Sequence, residues 1–107
     1  MIAKDDPMIL EIADIRIPPG RQADFDAAIR HGLETVVSKA AGFRRARVVK
    51  GIESPERFVL MIEWDTLENH TVDFRGSADF QEWRKLVGDC FAAPPEVEHV
   101  REIMKGF

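Results

Sequence analysis

The sequence predicts an α+β domain of the ferredoxin-like type, with elements in the order β-α-β-β-α-β and an antiparallel sheet carrying helices on one face. Three observations lead there. The stretch "RFVLMIEW", 57–64, alternates in character and follows another alternating stretch across the turn "ESPE", so the two read as a hairpin. One helical pattern precedes the hairpin and a second follows it. Isoleucine- and valine-bearing strands, "MILEIADIRI" and "EVEHVREI", open and close the pattern. At 107 residues, 1–107 reads as a single domain with its core over about 8–103.

The first strand, 8–17, stops at Pro18-Pro19-Gly20, which cannot continue a ladder. Over 21–41, Phe25, Ala28, Ile29, Gly32, Leu33, Val36, Val37 and Ala40 recur at helical spacing, predicting an amphipathic helix of about five turns. Gly42 stands where a left-handed residue would end it. The strand 43–52 puts Ala46 and Val48 on one side and charge on the other. On 57–64, Phe58, Leu60, Ile62 and Trp64 share one face and Arg57, Val59, Met61 and Glu63 the other. Asp65 or Thr66 can cap a short helix over 67–75, with Glu68 in a capping box if Asp65 is the cap. Gly76 interrupts, Ser77 caps again, and 78–90 form a helix on Phe80, Trp83, Val87 and Cys90. "APP" at 93–95 breaks it before the last strand, 96–103.

Composition narrows the function. Hydrophobic residues make up 45% and charged residues 32%, and the net charge of −4 is not gathered in blocks. Without a basic stripe to neutralise phosphates or anionic lipid, no nucleic acid and no membrane surface is expected as partner. The amino terminus "MIAKDDPM" lacks an apolar signal core, and no apolar run approaches the roughly 20 residues of a spanning helix. A lone Cys90 and four methionines suit a reducing compartment, so a cytoplasmic protein is expected. The three histidines show no HExxH spacing, and the seven glycines form neither GxGxxG nor a P-loop, so no metal and no nucleotide cofactor is expected.

The strands carry large apolar residues on both faces, yet helices cover only one. A sheet face left to water would alternate apolar with polar. The reading is therefore a homodimer in which a second sheet covers the open face, with Arg45, Arg47, Glu63 and Glu98 at the seam.

The β-α-β-β-α-β order, the "EW" ending the third strand, the segment "HTVDFRGSADFQEW" and the "PPEVEH" lead-in to the last strand together resemble the antibiotic biosynthesis monooxygenase (ABM) family over roughly 8–103. The resemblance implies a dimeric α/β barrel with a pocket in each protomer between sheet and helices. It also implies, for some members, oxidation of phenols or quinols by molecular oxygen without metal or flavin. A separate branch of the family degrades haem. That branch has an asparagine near the start, whereas the only asparagine here is Asn69, and Arg84 stands at its histidine-ligand position. Many members carry a histidine where this chain has Phe74; here the histidine is one turn earlier, at His70. The phenol-oxidising asparagine before the tryptophan is replaced by Leu60, and the chain has no tyrosine.

Oxygen chemistry on a phenol needs an apolar pocket, a base and donors to the developing oxyanion. On a helix from Leu67, positions 67, 70, 71 and 74 share a face, so His70 points inward with Leu67 and Phe74. His70 is the candidate base, held neutral by burial. Trp64, Phe74, Phe80 and Trp83 are the candidate substrate wall. The alternative for His70 is a core histidine bonded to a carbonyl, and for Phe80 and Trp83 plain core. His31 reads as solvated, Cys90 has no histidine near it in sequence, and His99 faces either pocket or barrel. Asp14 and Arg16 are possible polar pocket groups. The function expected is a cofactor-independent monooxygenase acting on a small aromatic phenol or quinol. The alternative is a non-catalytic dimeric α/β-barrel protein that binds a small molecule or fills its pocket with its own side chains.

Overall fold

The computed structural model describes residues 8–104 and 106. The segment read as lacking a signal core lies outside them, except for Met8. Four antiparallel strands form one sheet in the order β2-β3-β1-β4: β1 Ile9–Arg16, β2 Phe43–Lys50, β3 Arg57–Trp64 and β4 Glu96–Arg101. Two helices, α1 Gln22–Thr35 and α2 Ala78–Val87, cover one face. This is the ferredoxin-like arrangement that the sequence predicts. No helix among the described residues is long and apolar enough to cross a membrane.

Strand alternation decides the layers. On β3, Phe58, Leu60, Ile62 and Trp64 are all buried while their neighbours are half-buried. Directly opposite residues share a face, and the register sets Ala13 against Leu60 and Ile15 against Phe58. The core therefore lies between this face and Phe25, Ile29, Val37 and Val87 of the helical layer.

Several boundaries differ from the predicted ones; β2, for one, ends at Lys50 rather than 52. The first helix ends at Thr35 rather than running to 41, because Val36 leaves helical geometry at φ −121°. The chain there is β-branched, and the Thr35 and Ser38 hydroxyls bond back to the carbonyls of His31 and Glu34. A 3-10 turn, Val37–Lys39, follows and keeps Val37 fully buried. α2 likewise ends at Val87 and tightens into a 3-10 turn, Gly88–Cys90. The last strand stops at Arg101 instead of 103, because Arg101 already pairs with Ile9, the first residue of β1. Beyond it Ile103 is 95% exposed. Gly42 does adopt φ +83°, and Ser77 does cap α2, its hydroxyl accepting from the Phe80 N–H at 3.2 Å.

Asp14 and Arg16 are not pocket groups. They stand on the open face of β1, where the Asp14 carboxylate takes Arg57 Nη2 at 2.9 Å and lies 3.5 Å from Arg16 Nε. The same face carries Leu10, Ile12, Val59 and Met61, with Arg45 paired to Glu63 across β2 and β3.

Candidate functional site

The covered face of β1 reads Ile9, Glu11, Ala13, Ile15, and the one acid in this row is buried. Glu11 Oε1 accepts the indole N–H of Trp64 at 3.0 Å. Trp64 is itself without solvent exposure, and its ring stacks on that of His70 at 5.3 Å between centroids and 15° between planes. His70 Nε2 lies 3.4 Å from the same Glu11 oxygen. His70 Nδ1 lies 2.8 Å from His99 Nε2, and His99 sits on β4 directly opposite Glu11. One strand-end tryptophan, one acid and two histidines from four different segments thus form a single polar cluster in an apolar layer.

The segment that delivers His70 is π-helical over Asn69–Phe74, with the Arg75 N–H bonded to the His70 carbonyl at 3.1 Å. Thr66 and Asn69 start it rather than Asp65 and Glu68. The Thr66 hydroxyl accepts from the Asn69 N–H, and the Asn69 side-chain oxygen accepts from the Thr66 N–H, each at 3.1 Å. Asp65 is engaged with Arg44 instead. The wide turn also corrects the predicted face. His70 and Phe74 are buried together, but Leu67 is 38% exposed, because i→i+5 bonding carries the inward side forward to Phe74 rather than back to Leu67.

Burial raises the Glu11 carboxyl above its ordinary range, opposed by the Trp64 hydrogen bond and by the charge of Arg75. Burial, then Arg75 and His99, lowers His70 to about 4. His99 is lowered for the same reasons, burial first and Arg75 second. His70 is therefore neutral near pH 7, and its contact with Glu11 is not an ion pair. Because His99 and Glu11 meet different nitrogens of the His70 ring, the three side chains do not converge on one point as metal ligands would.

Beside this cluster lies a cavity of about 170 Å³. Phe74, Phe80 and Trp83 form its aromatic wall, Glu11 and His70 its polar one, and Arg75 and Arg84 also line it. Phe74 and Phe80 meet edge to face at 5.6 Å, and the Arg84 guanidinium lies over the Phe80 ring. Trp64 stands behind the wall, separated from the cavity by His70, Glu11 and Phe74, against all of which it packs. His31 is exposed on α1, away from the site.

Sequence reasoning missed Glu11, although its signal was present: a lone acid at an apolar-facing position of an alternating strand. The orientation of His99 follows from pairing with Glu11, which no local pattern carries. Arg75 had no signal, since its place depends on the π-helical turn.

A model of the antibiotic biosynthesis monooxygenase family matches residues 8–86. The chain belongs to that family. A Bacillus subtilis relative, the uncharacterized protein YczJ, is 33% identical to this ABM chain over 90% of its length and all of the relative's. A Bordetella bronchiseptica crystal structure, named for the same family, is 48% identical at a TM-score of 0.87, covering 92% of this chain and 99% of that one. The fold is shared more distantly with the Streptomyces coelicolor monooxygenase from ActVA-Orf6, solved with nanaomycin D. That protein is 14% identical with a TM-score of 0.81, covering 100% of this chain and 98% of that one. Family membership and the name of the Bordetella relative support monooxygenase chemistry for the ABM chain.

Proposed function

We propose that this ABM protein is a cofactor-independent monooxygenase that oxidises a single-ring phenol or hydroquinone with molecular oxygen. The observation that carries the reading is the cavity itself. An aromatic wall of Phe74, Phe80 and Trp83 faces a buried acid–base cluster containing His70 and Glu11. A dry cavity of about 150 Å³ is enough for benzene, so 170 Å³ fits one ring and is small for the fused rings of an anthrone. Ionisation of the ring hydroxyl makes the substrate an electron donor able to reduce oxygen. For a phenol the balance is one phenol and one O2 giving one quinone and one water. The ring gains one oxygen atom, the hydroxyl hydrogen and one ring hydrogen leave in the water, and no outside reductant is needed.

The test is oxygen consumption, above the uncatalysed rate, by metal-stripped protein with phenols, hydroquinones, naphthols and anthrones. Turnover confined to the single-ring members supports the reading; turnover of none rejects it. A second reading, a binding protein of the same fold, is favoured by one observation: both ring nitrogens of His70 already face partners. Saturable binding of the same rings without oxygen uptake would select it.

We also propose that the open sheet face is covered by a second copy, as the half-buried Leu10, Ile12, Val59 and Met61 suggest. Sedimentation should give a dimer at micromolar concentration, and Met61→Lys, placed in the middle of that face, should give monomer.

A further inference from the structure

The cluster holds two candidates for taking the ring proton, and their surroundings are unequal. His70 has Nδ1 turned to His99 and Nε2 turned to Glu11, so neither nitrogen is free for a ligand. Glu11 has one oxygen in use: Oε1 meets both the Trp64 indole and His70 Nε2. Its other oxygen, Oε2, makes no hydrogen bond among the described residues. No fully buried side-chain polar atom there is left without a partner, so Oε2 is open to space, and the space that Glu11 borders is the cavity.

We propose that Glu11 is the base of this site: Oε2 takes the hydroxyl proton of a ring bound in the cavity, while Trp64 holds Oε1 and His70 packs beside it. The assignment deepens the oxidation reading above and rests on it for its catalytic part. Donors then run one way. His99 Nε2–H donates to His70 Nδ1, Trp64 Nε1–H donates to Oε1, and His70 Nε2 lies 3.4 Å from that same oxygen. His70 and Trp64 are positioning residues in this scheme, and the stacked indole keeps the imidazole in plane for its contact. The proton on Oε2 is not lost. Once the ring carbon has bonded to oxygen, the carboxyl returns it to the peroxide. The carboxylate then removes the ring hydrogen as the O–O bond breaks, and protonates the departing hydroxide to water. The four electrons come from the ring, and Glu11 ends as it began.

The acidity order agrees with the geometry. Burial raises Glu11 while it lowers His70, so of the two the carboxylate is the stronger base. The groups facing Glu11 are His70 and Arg75 from the segment after β3, His99 from β4 and Arg84 from α2. On β3 its neighbours are Ile62 and Trp64. Arg75 holds the carboxyl down against burial, which favours the ionised form that a base needs.

Three measurements test this, and two require no turnover. Nitrogen NMR of the wild-type protein near pH 7 should find His70 neutral with its hydrogen on Nε2. A hydrogen on Nδ1 would mean that Glu11 is protonated and donating, which overturns the proposal. Binding of 4-fluorophenol, followed by fluorine NMR, should weaken about tenfold in Glu11→Gln, and in the wild type as Glu11 is protonated. Unchanged affinity in both cases overturns it. Among phenols that the wild type oxidises, Glu11→Gln should lose about 100-fold or more in kcat. His70→Gln should lose less and shift the acid limb of the pH profile without abolishing it. The reverse order would make His70 the base. If the wild type oxidises nothing, the oxidation reading fails by itself, and the tautomer and binding results decide whether Glu11 is the cavity's proton acceptor.

Discussion

Trp64 and Glu11 lie 53 positions apart in the chain and are joined on the covered face of the sheet by an indole N–H donated to a carboxyl oxygen at 3.0 Å. That bond places an acid inside an apolar layer and opposes the burial that would neutralise it. Trp64→Phe keeps most of the packing and removes the donor. The variant should lose about 2–4 kcal/mol from the smaller ring and the unpartnered oxygen together. Because the lost bond favoured the carboxylate, the deficit should be larger at pH 8 than at pH 5. Urea denaturation at both pH values checks it; equal deficits would show that only packing was lost.

His70 supplies a pH signature of its own. Its folded pKa of about 4 lies below the ordinary histidine value of 6.5. Between these values the unfolded chain binds a proton that the folded chain refuses, so stability rises with pH through this window and falls as the pH drops from 6.5 toward 4. The full difference is about 3 kcal/mol. Glu11, raised in the fold, contributes a loss of stability with rising pH above 4.5. His70→Gln should flatten the acid side of the stability profile, measured as urea midpoints from pH 4 to 7. An unchanged acid limb would refute the placement of a neutral buried imidazole.

Gly42 has two reasons to be glycine. Its φ is +83°, and a Cβ there would come within 2.1 Å of the Asn69 side-chain oxygen. Since Asn69 caps the segment carrying His70, Gly42→Ala should both destabilise the protein by about 1–3 kcal/mol and loosen that segment. Thermal unfolding reads the first effect and amide exchange at 69–74 the second.

Gly32 on α1 lies under the Trp83 ring, where a Cβ would stand 2.7 Å from the indole. Gly32→Ala should push Trp83 into or away from the cavity it lines. Helix propensity gains about 1 kcal/mol from the change, against an overpacking cost of about 1–3 kcal/mol. Stability should therefore change little while ring affinity falls several-fold. A fluorine-NMR titration with 4-fluorophenol beside a melting curve separates the two effects.

Much of this molecule is written in local pattern. The alternation of 57–64, the breaker after Ile17, the left-handed Gly42 and the Ser77 cap each depend on a few neighbouring residues, and each stands where sequence places it. So do the inward His70 and Phe74 and the aromatic side chains of α2 around them. Tertiary structure decided the rest. The same apolar spacing that predicts a helix to 41 also suits a 3-10 turn after Thr35, and hydroxyl back-bonds with β-branched crowding chose the turn. Leu67 left the inward face because the carbonyl that each N–H selects sets helical phase, and that choice was i→i+5. Glu11, His70 and His99 come from β1, a turn after β3, and β4; strand register sets His99 opposite Glu11, and the turn after β3 brings His70 against both. Periodicity tells which way a side chain points. Which residue it meets there depends on how separate elements pair, and that is a property of the folded sheet.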